Sequence, residues 1–560
     1  MGDNKDKKEF VDELKTRFEH LKEERRKRES DWKETQRFVA PSVFNWDNPR
    51  DKTPQRPKRF TSRPTNYLKT MRSGISGYSV SPNIAWLKLG LENLENLNEH
   101  GVRDWLEAVE KALYAEFNRS NLYSQQSKFI EFAATYGHAV MLIDENLADK
   151  RLRFTNLNTQ EIYLDTNEYD EVDTVFRRYT MTLKNAASFF GKEKLSDSRR
   201  LDLEDKKKWN NEIVILHAVY KRTEFDGNSK LSRNMPYASV HLDEESDCLI
   251  DESGYSEFPF AVFIWDPVNG TAYGESPAIQ ALDDIKLLNV IDEARMQITQ
   301  MSAQPAYNVP ESMRGKESVV PGGYNYYDKQ NEIVVPINTG QNYPITLDTQ
   351  KEIEKRVRDW FHVDFFLALM GERPSNMTAT YVMELQGEKA AVLSDLVINL
   401  NSALSKIIRR SFNILSRQGK LPEPPESLMG SGAQIKVDFM GPLAQAQKKF
   451  HESAGIQGGI SLIGAIGNIS AAALDVIDFD QTLKSGLEGL GFPQIAVRED
   501  DDVAKLREER AMQEQQQRQQ AEAMEQQKQF MGNMDKLNQP VQPGSALDMM
   551  GKQMAGGTMQ

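Results

Sequence analysis

The chain has 560 residues, a single cysteine and a formal net charge of −13. This length allows two to four domains, and one cysteine excludes both an internal disulfide and a cysteine-rich zinc site. The seven histidines never occur at H-x-x-x-H or H-E-x-x-H spacing, so we expect no metal and no cofactor. The acidic charge disfavours tight wrapping of nucleic acid, but it permits contact with DNA that slides past the protein.

The first half of the chain changes from a helical pattern to a strand pattern near Gly137. Apolar residues recur at helical spacing before that glycine, and β-branched and aromatic runs separated by turn residues follow it. The run from Asp165 to Asp170 lacks most ligands of a calcium loop and is interpreted as a turn. The predicted helices span 9–40, 65–77, 102–118, 122–136 and 185–190, and the predicted strands span 139–144, 152–157, 162–165, 174–182, 213–222, 236–242 and 260–265.

A basic, proline-containing stretch occupies residues 49–63 and is predicted to form an extended arm. Six basic residues face a single acidic one there, which makes the arm a candidate for contact with phosphate or with a protein partner. Its basic residues are Arg50, Lys52, Arg56, Lys58, Arg59 and Arg63.

The stretch 273–310 contains a long helix with clearly marked ends. Ser276 is a good N-cap, Pro277 suits the first helical position, and Pro305 forbids continuation. A helix from Pro277 to Gln304 is roughly 40 Å long at 1.5 Å per residue. Its larger apolar residues are mostly three positions apart, so the apolar stripe winds around the helix and needs neighbours on several sides.

The second half of the chain is predicted to be mainly helical around one small excursion. The excursion spans 319–344 with a strand at 332–336, and the later elements are helices at 349–369 and 378–418, a strand at 435–439, a helical region at 443–490 and a Gln-rich, partly disordered tail. Polar residues and glycines interrupt the most apolar stretch, 455–477, so we expect no transmembrane segment. The N-terminus has no secretory signal, which predicts a cytosolic chain.

No strong signal for catalysis is present. The chain contains neither a P-loop nor a G-x-S-x-G elbow. Asp283 and Asp284 are adjacent on a helix and point about 100° apart, which suits a solvated face or a subunit contact better than a catalytic pair. Two long helices joined through a β excursion favour a structural or assembly role, so we predict that the protein is not an enzyme.

The order of several motifs resembles the head-to-tail connector, or portal, proteins of short-tailed bacteriophages, over roughly residues 10–490. The motifs are Tyr273-Gly274-Glu275-Ser276-Pro277 with its helix, Gly322-Gly323, the run from Leu369 to Pro374 leading into Met377-Thr378-Ala379-Thr380, Leu421-Pro422-Glu423-Pro424-Pro425 and the run from Gly441 to Gln447, preceded by Trp32 to Pro41 and by Ser81-Pro82 with Trp86.

This resemblance implies an α+β, mainly α, fold of the portal type, with a wing, a long-helix stem, a small β-containing clip and a helical crown. It implies a ring at one capsid vertex, usually of twelve subunits, through which DNA passes during packaging and ejection. The implied regions are a wing at 1–270, a first stem helix at 271–305, a clip at 306–348, a second stem helix at 349–370, a channel loop at 371–377, a long wing helix and strand at 378–442, a crown at 443–498 and the tail at 499–560.

The resemblance also implies which residues carry the function. The channel loop would bring Glu372 and Arg373 closest to DNA, and Leu288→Asp would damage assembly. The channel-loop residues are Gly371, Glu372, Arg373, Ser375 and Asn376; the stem-packing residues are Leu282, Ile285, Leu288, Ile291, Ile298, Val357, Trp360 and Phe361.

The implied partners are copies of the chain itself, double-stranded DNA bound without sequence specificity, the packaging terminase, the major capsid and scaffolding proteins and the tail adaptor proteins, with no membrane. The protein would belong to the virion after assembly in the host cytoplasm. Two alternatives remain open at this point. One is a monomeric or dimeric assembly scaffold; the other is a metal-dependent nucleic-acid enzyme in which Glu275, Asp283 and Asp284 would have to meet around a metal ion.

Overall fold

The computed structural model describes residues 2–41, 46, 59–91, 100–146, 149–226, 231–320, 323–327, 333–337, 343–369, 393–428 and 435–441, and scattered positions between 503 and 549. The chain divides into two compact units, Met1–Ile460 and Ser461–Gln560. Within the second unit the longest described run, 505–513, is helical. The predicted crown, 443–498, lies outside the described residues.

The first unit mixes helices with antiparallel sheets, as the α+β prediction requires. Its main helices are α1 (Gly2–Phe38), α2 (Arg63–Ser79), α3 (His100–Arg119), α4 (Leu122–Tyr136), α5 (Leu183–Phe190), α6 (Asp197–Glu204), α7 (Pro277–Gln280), α8 (Leu282–Ala303), α9 (Tyr343–Trp360), α10 (Val363–Leu369) and α11 (Ser394–Arg417). No helix in the described ranges is long and apolar enough to cross a membrane.

The strands form two larger sheets and three strand pairs. Their bounds are β1 (Leu87–Leu91), β2 (His138–Asn146), β3 (Arg151–Leu157), β4 (Ile162–Thr166), β5 (Val172–Thr182), β6 (Glu212–Lys221), β7 (Tyr237–Asp243), β8 (Cys248–Tyr255), β9 (Phe260–Ile264), β10 (Asp266–Pro267), β11 (Gly274–Glu275), β12 (Tyr307–Asn308), β13 (Val335–Pro336) and β14 (Ile435–Phe439). The five-stranded sheet has the order β4-β5-β6-β7-β8 and the three-stranded sheet the order β3-β2-β9, while β1 pairs with β14, β10 with β11 and β12 with β13.

Helix α1 packs along the five-stranded sheet through residues at helical spacing. Val11, Leu14, Phe18 and Leu21 are buried against the sheet, because positions three and four apart share one face of a helix. Further along, the fully buried Arg25 donates a hydrogen bond of 2.9 Å to the Ile162 carbonyl. The basic run on α1 therefore contributes at least one cation to the interior.

A second core joins the three-stranded sheet to α2, α4, α10 and α11. Two features hold α11 to that sheet. The buried Arg410 donates to the Ile143 carbonyl at 2.7 Å and pairs with Glu257 at 3.2 Å. Asn399 donates to the Trp265 carbonyl at 3.1 Å. The long helix after residue 393 is thus part of the body of the unit.

Most predicted elements of the first half are present, but several observed elements were not predicted, among them β8 and α6. Strand β8 is rich in acidic and small residues, so its composition does not indicate a strand; pairing with β7 decides its conformation. Helix α6 lies in a stretch predicted only as polar, although Ser196 accepts a hydrogen bond from the Arg199 amide as an N-cap. The predicted turn at 165–170 joins β4 to β5, with Asp170 at a φ of 59°.

Candidate functional site

The helix predicted at 277–304 is present but interrupted once. The Ser276 hydroxyl accepts a hydrogen bond from the Ile279 amide at 3.0 Å and donates to the Thr135 carbonyl at 3.0 Å. The short α7 ends at Gln280. Ala281, with a ψ of −1°, separates it from α8, which begins at Leu282. The prediction of one continuous helix is wrong there, because Ser276 and α7 are fixed against α4.

Burial differs between the faces of α8 and decreases towards its end. Leu282, Ile285 and Leu288 in the first half are buried in the core of their own chain. Ile291 and Ile298, further along, are only half-buried. The exposed apolar side chains of this helix are Leu287 (44% exposed), Val290 (57%), Met296 (44%) and Met301 (55%).

Burial also shows how Leu288→Asp would act. Leu288 has no exposed surface, so Leu288→Asp would act through folding of the chain itself. The three-residue spacing on α8 reflects core packing on one face and exposed apolar side chains on another.

Helix α9 packs beside α8 through polar contacts as well as apolar ones. The buried Gln350 bridges two α8 residues: its amide donates to Asp292, and its carbonyl accepts from the Arg295 guanidinium at 2.8 Å. Arg356 pairs with Asp284 at 3.2 Å. The two helices therefore form a cross-linked pair.

The second predicted stem helix, 349–369, begins earlier than predicted and is broken near its end. His362 adopts a φ of 46°, which ends α9 and starts α10. The break places Phe365 and Phe366 in the core beside Phe361. Among the predicted packing residues, Val357 and Phe361 are buried within the chain, whereas Trp360 is 41% exposed.

The last residue of the basic arm, Arg63, contacts this helix pair. Arg63 lies 3.5 Å from Asp292 on α8 and 3.4 Å from Glu354 on α9. Tyr67 donates a hydrogen bond of 2.7 Å to Glu354, and burial together with that carboxylate raises the pKa of the Tyr67 hydroxyl.

Arg59 is also used within the chain, since it donates to the Phe38 carbonyl at 3.3 Å and to the Thr65 hydroxyl at 3.1 Å. Arg63 therefore anchors α2 to the helix pair, whereas Arg59 links the end of α1 to α2. Asp292 and Glu354 are more than 200 residues from Arg63 in the sequence, so the local sequence pattern did not indicate these ion pairs. The other four predicted arm residues, Arg50, Lys52, Arg56 and Lys58, lie outside the described residues.

The excursion between α8 and α9 has little buried apolar surface in its described residues. Its strands β12 and β13 pair over only two residues each, extended by a hydrogen bond of 2.7 Å from the Ile337 amide to the Ala306 carbonyl. Asn325 ties a loop together by bonding both the amide and the carbonyl of Ser318. Its exposed apolar residues are Tyr307, Val319, Val320, Tyr324, Tyr326, Tyr327, Ile333, Val335 and Ile337.

The carboxylates that a metal-dependent enzyme would need do not meet. Glu275 pairs with Arg28 at 2.9 Å, and Asp284 pairs with Arg356. Within the described ranges, the chain contains no group of three or more His, Cys, Asp or Glu side chains able to hold a metal ion. The predicted channel-loop residues, 371–377, lie outside the described residues.

Comparison with known proteins identifies the family of the chain. The family model for the bacteriophage head to tail connecting protein matches residues 11–497. The portal protein of Salmonella phage epsilon15 is 28% identical over 510 residues, covering 88% of this chain and 90% of that protein. The probable portal protein of Bordetella phage BPP-1 is 26% identical over 511 residues, covering 90% and 91%. The chain therefore belongs to the family of bacteriophage head to tail connecting, or portal, proteins, which are structural components of the virion and not enzymes.

Proposed function

We propose that this protein forms a closed ring of identical subunits at one capsid vertex, with twelve subunits as the number implied by the family. The observation that carries the proposal is the exposed apolar surface on α8 and on the excursion after it. Clusters of exposed apolar side chains on a soluble protein commonly mark surfaces that contact another protein. Copies arranged head to tail around an axis would cover it on every subunit at once.

Within this ring, α8 and α9 act as the stem, and the excursion at 306–348 acts as the clip that meets the packaging terminase and later the tail adaptor proteins. The cross-linked helix pair supports this assignment, because a stem must stay rigid while its outer surfaces contact neighbours. Residues 1–270 and α11 form the wing, which faces the major capsid and scaffolding proteins. The regions 371–377 and 443–498 are proposed as the channel loop and the crown.

The ring serves as the conduit for double-stranded DNA during packaging and ejection. A net charge of −13 per subunit favours a channel that repels phosphate, so the duplex can slide without sequence-specific binding. Glu372 and Arg373 remain the proposed side chains nearest to DNA. Assembly is proposed to take place in the host cytoplasm.

A photo-cross-linking experiment tests the ring interface. A benzophenone amino acid replaces Val290 on α8, and a matched control places it at Leu201 on α6, which is exposed to a similar degree. We expect irradiation of the Val290 variant to give a ladder of covalent oligomers and the Leu201 variant to give far less. Equal, weak cross-linking at both positions would overturn the interface, whereas dimers alone would favour the scaffold alternative.

A further inference from the structure

The strand pair β1-β14 has one closed edge and one open edge. On β1, the amides of Leu87 and Leu89 turn away from β14: Leu87 donates to the Tyr114 hydroxyl at 2.8 Å and Leu89 to the Glu110 carboxylate at 2.6 Å. Helix α3, which carries both acceptors, therefore covers the outer edge of β1. That edge has no room for another strand.

The register shows which groups of β14 point outward. Leu87 lies opposite Phe439 and Leu89 opposite Val437, and residues directly opposite in an antiparallel pair turn their backbone groups in or out together. The amide of Met440 points inward, since it donates to the Trp86 carbonyl at 2.9 Å. The backbone groups of Ile435, Val437 and Phe439 consequently face outward. In the part of the chain that the structure describes, no strand pairs with them.

An apolar groove lies between this strand and α11. It measures about 220 Å³ and is lined by Ser405, Ile408, Arg409 and Phe412 from α11, by Leu89, Ile435, Lys436 and Val437 from the strands, and by Leu113 from α3. Small-molecule sites usually measure roughly 300–1,000 Å³, so this groove suits a single side chain better than a free ligand. An unpaired strand edge beside an apolar groove and a helix is the arrangement by which sheets add an extended peptide.

The positive charge beside the groove favours an acidic peptide. Arg409 lies at its rim, and Lys406 is three residues earlier, adjacent on the helix surface. Both side chains are exposed, and within the described ranges neither pairs with a carboxylate. Arg417 and Lys420, further along, are already paired with Glu257 and Glu116.

We propose that the open edge of β14 binds an extended acidic segment of another protein by strand addition. The segment carries apolar side chains at alternate positions; one enters the groove, and acidic side chains beyond the strand meet Lys406 and Arg409. Main-chain hydrogen bonds to Ile435, Val437 and Phe439 provide the pairing. The site lies outside the stem and clip, so it does not depend on the ring.

The test uses the full chain and a short fluorescein-labelled peptide in which a stretch of alternating valine and serine is followed by glutamates; the control peptide has lysines in place of the glutamates. Val437→Pro removes an outward amide but leaves the hydrogen bonds to β1 in place, as proline is tolerated at an open edge. Arg409→Glu reverses the rim charge. Lys27→Gln is the matched control, because Lys27 is an exposed lysine on α1 that does not line the groove and pairs with Glu24 at 2.7 Å.

We expect saturable binding of the glutamate peptide in fluorescence anisotropy and none of the lysine peptide. Val437→Pro and Arg409→Glu should each weaken binding by about tenfold or more, while Lys27→Gln changes it less than about threefold. Thermal unfolding of each variant confirms that the chain still folds. Absence of saturable binding to the unmodified chain, or binding that both variants leave unchanged, overturns the proposal. Loss of self-association in both variants without peptide binding would instead assign the edge to a contact between copies.

Discussion

Two aspartate substitutions on one helix separate folding from assembly. Leu288 and Val290 are two residues apart on α8, yet Leu288 is 0% exposed and Val290 is 57% exposed. Leu288→Asp removes buried apolar surface that contributes about 1.5–3 kcal/mol to stability, and it buries an unpaired polar group. The free energy of unfolding should therefore fall by at least about 4 kcal/mol. Domains of this kind have only about 5–15 kcal/mol of stability, so Leu288→Asp should unfold much of the protein.

Val290→Asp should leave the stability of the single chain within about 0.5 kcal/mol, since the side chain is already in contact with water. In a ring the substitution recurs at every interface. A penalty of only about 1 kcal/mol at each of the proposed twelve contacts totals about 12 kcal/mol per ring, and burying a carboxylate costs more than that. Val290→Asp should therefore give a folded chain that does not assemble.

Circular dichroism during thermal unfolding reports the first effect, and sedimentation velocity reports the second. Leu201→Asp serves as the control, because Leu201 is 66% exposed on α6, away from the helix pair. It should change neither stability nor assembly. Unchanged assembly of Val290→Asp would refute the placement of this side chain in a subunit contact. A normal unfolding temperature for Leu288→Asp would refute its burial.

Three further predictions concern the body of the chain. Gly137 has a φ of 83°, and a Cβ added there would overlap the Gly274 carbonyl, so Gly137→Ala should lower the free energy of unfolding by several kcal/mol. Gly270 has a φ of 77° with open space around it, so Gly270→Ala should lower it by only about 1 kcal/mol. Equal losses in thermal unfolding would contradict the close approach at Gly137. Burial lowers the pKa of His138 to about 3 from the ordinary 6.5, so the unfolded state binds a proton that the folded state does not as pH falls from 6.5 towards 3. This histidine alone should lower the free energy of unfolding by about 2 kcal/mol at pH 5 relative to pH 7. His138→Asn should therefore reduce the decrease in the free energy of unfolding between pH 7 and pH 5, as measured by denaturant unfolding. Gln350→Ala should destabilise the chain by about 1–3 kcal/mol because it leaves two α8 side chains without their bridge, and a loss below about 0.5 kcal/mol would argue against that bridge.

Local pattern predicted the elements whose own residues decide their conformation. The strands between Gly137 and Trp265 were found because β-branched and aromatic residues dominate them, and the start of the long helix was found because Ser276 and Pro277 mark it. Strand β8 was missed since its pairing with β7 overrides its polar composition.

The helix pair was predictable in outline and not in its contacts. Three-residue spacing on α8 indicates apolar surface but does not reveal that Leu288 packs in its own chain while Val290 is exposed. The break at His362 depends on burying Phe365 and Phe366, which is a tertiary effect. Arg63 lies far along the chain from Asp292 and Glu354, so no local pattern indicated that the end of the basic arm anchors the helix pair.

Negative-stain electron microscopy of the purified full-length protein tests the central claim most directly. The uncovered apolar surface of α8 and the excursion predicts end-on views of closed rings with a central hole, of uniform subunit number and far heavier than the 63.9 kDa chain. A compact monomer or dimer that persists at high protein concentration, with no rings in the images, would contradict it.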